Sequence, residues 1–217
     1  MIGWSLMAIV VLDWDKSYMI DPQKIVNEKY TDSQLEELLI FSICVAGKTA
    51  KTIAPRVDTL FKYMKLWAND ECPLKHSHSF PLDMWRDLKI IGIGCCRMKA
   101  RAILDAADRI QDGRLNLRKC SPEDLEAIYG IEPKTARAFI MWSRPGESYA
   151  ILDTHILKWL KEQGIENVPK ATPTSKNYDR LEAEFLDLVP EDKSAAEFDL
   201  QIWKKYANPN TGVTTVY

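Results

Sequence analysis

The chain has no excess of charge of either sign: 29 Lys and Arg against 31 Asp and Glu leave a formal −2, and the isoelectric point is near 6.0. This excludes a protein that coats nucleic acid through global positive charge, so any phosphate contact has to come from local Lys, Arg and backbone N–H groups. Glycine is scarce, nine in 217 residues against seven Trp, which argues against a disordered or fibrous chain because bulky apolar groups offset the entropy of ordering. There is no CxxC pair. The five cysteines (Cys44, Cys72, Cys95, Cys96, Cys120) are odd in number, and adjacent Cys95 and Cys96 suit neither an ordinary disulfide nor tetrahedral ligation. Free thiols in a reducing compartment are expected, cytoplasmic (nucleoid-associated) or nuclear rather than secreted. The apolar opening MIGWSLMAIVVLDW has no basic flank or small-residue cleavage pattern and is too short to span a bilayer. It reads as a buried strand or helix, with no membrane partner.

What is present is a core. The chain is 46% hydrophobic and 10% aromatic, enough for one large domain or two lobes sharing a core. Apolar residues recur at helical intervals from Leu35 to Gly47, with Asp32 or Ser33 as the cap, and again over Ala54 to Trp67. Residues 69–81 hold two Pro, His76, His78 and Cys72 without a sustained period or a fourth ligand, and are expected to be a loop with no metal. A short helix from Leu82 to Ile90 leads to the turn Ile91-Gly92-Ile93-Gly94-Cys95-Cys96. A helix then opens with Arg97, Met98 and Lys99 and runs through Ile110. This turn is either an anion site, with N–H groups and cations at one helix end, or a plain interhelical turn. Ser121-Pro122-Glu123-Asp124 is a helix start, with that helix running to Tyr129, and another begins at Pro133 and continues to Trp142. Asp153 is placed as the N-cap of a helix reaching Gly164. Further amphipathic helices span Tyr178 to Val189 and Ala195 to Tyr206. The summed reading is all-α.

The stretch LEAIYGIEPKTARAFIMWSRPGESYAILDTHILKWL, from Leu125 to Leu160, carries the chemistry. Lys134 stands at the start of the hairpin's second helix, and nineteen residues on Asp153 opens another. An amine is a nucleophile only when neutral, a state favoured near a helix N-terminus. A carboxylate close by stabilises positive charge developing on a substrate and assists proton movement. Taken singly, Lys134 reads as a solvated lysine and Asp153 as a structural cap worth about 1 kcal/mol. It is the resemblance given next that makes them a catalytic pair.

Gly130, Ile131, Lys134, Thr135, Ala136, Asp153, Thr154 and His155 resemble the HhH-GPD superfamily of DNA glycosylases, whose motif runs roughly LPGVGxKTA followed by DTH. The chain from Asp153 through Pro169, Tyr178 and residues 198–203 is similar to the short archaeal-type 8-oxoguanine glycosylases within it. The resemblance implies two helical lobes, residues 1–34 with 149–217 and residues 35–148, with the helix-hairpin-helix at 121–142 and a cleft between the lobes. It implies a monomer that excises a damaged base, 8-oxoguanine above all, from double-stranded DNA and cuts the abasic strand, with Lys134 and Asp153 catalytic. DNA contacts are implied at Gly130, Ile131, Glu132, Thr135, Gly92, Gly94, Arg97 and Lys99. Phe198, Asp199 and Trp203 are implied to line the pocket for the everted base; His155 is structural. The four-cysteine pattern that binds an iron–sulfur cluster in some relatives is absent, the last cysteine being Cys120, and no cofactor is expected.

Two departures stand out. Glu132 occupies the second glycine of the motif and Pro133, with no N–H, follows it; the tail ANPNTGVTTVY has no Lys or Arg, where the short archaeal-type enzymes end in a basic segment. A glycosylase for another base, such as a modified pyrimidine, and a non-catalytic helix-hairpin-helix DNA-binding protein therefore remain alternatives.

Overall fold

The computed structural model describes residues 30–48, 50–68, 74, 83–144 and 146–206. The apolar opening, most of the expected loop at 69–81 and the uncharged tail lie outside those residues. Among the described residues all regular structure is helical, with nine helices and no strand: α1 (Asp32–Val45), α2 (Ala50–Ala68), α3 (Met84–Ile91), α4 (Cys96–Gln111), α5 (Pro122–Glu126), α6 (Pro133–Ser143), α7 (Thr154–Glu162), α8 (Ser175–Leu186) and α9 (Ala195–Tyr206).

Helix α1 is the hub. Leu35, Leu38, Leu39, Ile40, Ile43 and Cys44 are all buried, so its apolar surface wraps most of the way round, as in helices packed on several sides. It packs on α2, α4 and α6. Its cap is Thr31 rather than Asp32 or Ser33. The Thr31 hydroxyl accepts the Gln34 N–H at 3.2 Å, and the Gln34 side chain accepts the Thr31 N–H at 2.8 Å. This reciprocal capping box satisfies two donors at once. Helix α2 starts at Ala50, earlier than its periodicity predicts, and carries Pro55 inside it; the fully buried Ile53 anchors that extra turn.

Helices α3 and α4 pack against each other, as do α5 with α6 and α7 with α9. One apolar cluster runs through them all. At its C-terminal end Trp159 meets Phe198 edge-on with ring centroids 5.2 Å apart, and Phe185 closes the group at 5.7 Å from Phe198. Edge-to-face contacts of this kind add to plain burial. None of the described helices is long and apolar enough to cross a membrane.

Candidate active site and nucleic-acid interface

The hairpin is built from a strong start and an early stop. Ser121 accepts the Asp124 N–H at 3.3 Å while Asp124 accepts the Ser121 N–H at 2.8 Å, and Pro122 fills the first helical position. Helix α5 ends at Glu126 instead of reaching Tyr129, because the following turn is held from α4. Arg109 donates to the Ala127 carbonyl at 2.7 Å, and the Tyr129 N–H donates to Asp105 at 2.8 Å. Gly130 then turns the chain at φ +77°, a region L side chains avoid. Ile131 is buried and anchors the turn, whereas Glu132 is exposed and caps α6 without any side-chain hydrogen bond. The Glu132 side chain thus faces solvent. The Ile131 and Thr135 N–H groups donate within the turn, to Ile128 at 3.1 Å and Glu132 at 2.9 Å. With Pro133 lacking an N–H, this hairpin has fewer donors for a phosphate than the motif it resembles.

The turn after α3 lies beside the hairpin. Gly92 and Gly94 take φ +81° and +76°, and Cys95, a residue with a side chain, takes +48°. Arg56 donates to the Gly92 carbonyl, and Lys48 reaches to where a Gly94 Cβ would stand. Arg97 is exposed and lies over the Trp85 ring at 5.5 Å; Arg101 lies over Tyr129 at 3.7 Å. Met98, 44% exposed, lies against Gly130, where an added Cβ would come within 3.2 Å of its Cγ. Turn and hairpin thus lie together with Lys48, Arg56, Arg97 and Arg101 about them, on a face whose groove beside Trp85 is also lined by Asp83, Asp105 and Asp108.

Lys99 does not belong to that face. It is 2% exposed, its ammonium donates to the Cys44 carbonyl at 2.5 Å, and burial pulls its proton affinity below the ordinary lysine range. The expectation that it contacts DNA is corrected: at position four of α4 the side chain points into the core, on a different face of the helix from the exposed Arg97 and Met98 two and one residues before it.

Lys134 is the second residue of α6 and half-buried. Asp153 caps α7, its Oδ1 accepting the N–H groups of His155 at 2.8 Å and Ile156 at 2.9 Å. The segment leading to Asp153 is non-helical and buried, and its polar groups are met from α8. Tyr178 donates its hydroxyl to the Ala150 carbonyl at 2.7 Å and accepts the Leu152 N–H at 3.1 Å, while Glu182 accepts the Ala150 N–H at 2.8 Å. Glu182 is in turn paired at 3.0 Å with Arg137, which stands three residues beyond Lys134 and also binds Glu126 and Asp179. A chain of hydrogen bonds thus joins the helix of Lys134 to the segment of Asp153. Sequence reasoning passed over Arg137 and Glu182; the available signal was a single cation in the otherwise apolar run ARAFIMW.

Asp199 on α9 completes the site. Its carboxyl is held well above the usual carboxylate range, by burial first and by the charge of Asp153 second, with the Ile151 N–H and Lys134 acting in the opposite direction. Lys134, Asp153 and Asp199 are therefore electrostatic neighbours. Trp203, one turn on from Asp199, meets His155 edge-on at 5.9 Å. Phe198, expected beside them, instead sits in the core against Trp159 and Phe185, so its pocket-lining role is corrected to packing. Among the described residues, no group of three His, Cys, Asp or Glu is placed to hold a metal ion.

No family model matches the sequence. Solved structures do match. The 8-oxoguanine DNA glycosylase of Thermotoga maritima is similar over 88% of each chain at 24% identity, with a TM-score of 0.62. The Methanocaldococcus jannaschii 8-oxoguanine glycosylase/lyase, solved in complex with a 15mer DNA containing 8-oxoguanine, is similar over 88% of this chain and 86% of its own at 20% identity, with a TM-score of 0.63. This chain has the fold of those glycosylases. The all-α architecture expected from periodicity is the one observed. Near-complete coverage of both chains makes the glycosylase fold a property of the whole described molecule, from α1 to α9, and not of the hairpin alone.

Proposed function

We propose that the chain is a DNA glycosylase with abasic-site lyase activity, acting on double-stranded DNA that carries an oxidised base, 8-oxoguanine first among candidates. What supports this reading is a glycosylase fold in which Lys134 at the start of α6, Asp153 at the cap of α7 and Asp199 on α9 influence one another's charge. The neutral Lys134 amine attacks C1′ of the everted nucleotide and the N-glycosidic bond breaks, its electron pair leaving with the base, which takes up a proton. The new ammonium loses a proton, the sugar ring opens to an imine, and removal of a C2′ proton expels the 3′ phosphate. Asp153 stabilises the positive charge that develops on the sugar. The everted base enters the cleft between the lobes beside Trp203, and the Arg97, Arg56 and Lys48 face takes phosphates.

Borohydride, which reduces the imine to a stable amine, tests the reading on a panel of lesion duplexes. Wild type is expected to cross-link to 8-oxoguanine DNA and Lys134→Gln to none. Cross-linking by Lys134→Gln, or none by wild type on any duplex, defeats the lyase assignment. A second reading has the excised base a different one, such as a modified pyrimidine. The same panel decides it by which duplex is cleaved fastest.

A further inference from the structure

The chemistry just described leaves one buried acid without a task. Asp199 is 7% exposed. One carboxyl oxygen takes the Ile151 N–H, and Oδ2 has no hydrogen-bond partner. Residues four apart share a helix face, and on this face of α9 Trp203 sets its ring against His155 at 5.9 Å, so the face is turned to the start of α7 where Asp153 stands. The titratable groups around Asp199 are Asp153 at the α7 cap, Lys134 on α6, and on α8 the Tyr178 phenol, whose hydroxyl is committed to Ala150 and Leu152. His155 lies beyond, against Trp203.

Two carboxylates that repel each other, with one walled off from water, are a costly arrangement, relieved when the buried one keeps its proton. Asp153 is the better solvated of the two and receives two backbone N–H groups; Asp199 is the one sealed in. We propose that Asp199 is a positioning residue for the Lys134–Asp153 pair, a neutral acid that leaves Lys134 facing one negative charge rather than two. The role rests on the glycosylase reading above. A second carboxylate charge beside an amine stabilises its ammonium form further, so a neutral Asp199 leaves more of the nucleophile available. As Asp199 ionises, the ammonium of Lys134 is held more tightly, so attack on the sugar rises later with pH than it would beside a permanently neutral group.

Two measurements on the full chain test this. Infrared difference spectra of wild type against Asp199→Asn at neutral pH read the carbonyl stretch of a protonated carboxyl with no DNA present, and that band is expected. Borohydride trapping on 8-oxoguanine and abasic-site duplexes across pH is expected to match at neutral pH and to rise later and more gradually on the alkaline side in wild type than in Asp199→Asn, whose side chain cannot ionise. The lead of that variant, where Asp199 is ionised and Lys134 still protonated in wild type, should be about tenfold, the effect of one unit of altered proton affinity. Asp199→Leu, unable to accept the Ile151 N–H, should trap poorly at every pH, with Asn restoring much of the neutral rate; thermal melting confirms that both variants are folded. Absence of the band overturns the proposal, and so does a band together with an Asn profile that superimposes on wild type. Wild type that shows the band yet traps on no duplex overturns the glycosylase reading and the positioning role with it, the band locating the failure in the reading rather than in the buried proton.

Discussion

Two jobs are fused in the Asp153 side chain, and single substitutions separate them. Its Oδ1 caps α7 through two backbone N–H groups, and its charge faces the site. Asparagine caps about as well as aspartate, so Asp153→Asn is expected to melt within a degree or two of wild type while losing about a hundredfold or more in excision rate, the scale of one electrostatic stabiliser. Asp153→Ala should lose the same activity and a further ~1 kcal/mol of stability, read by urea unfolding. Lys99 makes the opposite case, a charge with no access to DNA. Lys99→Met should leave duplex affinity unchanged and match or exceed wild type in melting temperature, since it removes the cost of burying an ammonium. Burial lowers the proton affinity of Lys99 in the folded state, so the folded chain binds fewer protons than the unfolded one as pH approaches the ordinary lysine range. Wild-type stability therefore rises with pH there, and the advantage of the Met variant should shrink in alkaline melts.

At the scale of elements, the linkage from α6 to the Asp153 segment is the weak point. Arg137 is buried among Glu182, Glu126 and Asp179, and removing one partner of such a cluster strands the others. Arg137→Met is expected to lose about 3 kcal/mol near pH 8. Glu182 is pushed up by burial, opposed by the Ala150 N–H and Arg137. Folding without Arg137 thus favours its protonated form, stability falls as pH rises through that range, and the penalty should narrow near pH 5; urea titrations at the two values check it. Helices were the legible part of the sequence: α1, α4, α6 and α9 follow their apolar periods closely, since a helix must bury one stripe. The Lys134 and Asp153 positions were legible too, through Gly130, Pro133 and the cap at Asp153. Contacts between segments distant in sequence were not, because periodicity marks a buried face without naming its partner. Nothing local in Lys99 distinguishes it from Arg97, and only the packing of α4 on α1 buries the one and leaves the other exposed. Phe198 was misplaced for the same reason.

For the molecule as a whole, a net charge of −2 makes affinity for DNA a local matter. The cations around the glycine turn, Lys48, Arg56 and Arg97, and Arg101 on Tyr129 are gathered on one face. Each phosphate contact contributes about 0.9 to the slope of log affinity against log salt. Arg97→Ala should reduce that slope by about one and weaken binding equally for damaged and undamaged duplexes, measured by fluorescence anisotropy across a salt series. Unchanged slopes would remove this face from the interface. The stakes that Tyr178 and Glu182 drive into the chain before Asp153 have a further consequence. The amides of Ala150 and Leu152 belong to no helix, yet both are buried and bonded to side chains of α8, so they open only when α8 comes away. In deuterium exchange they should rank with the slowest amides of α1 rather than with the loops, which makes the approach to Asp153 part of the last cooperative unit of the protein to open.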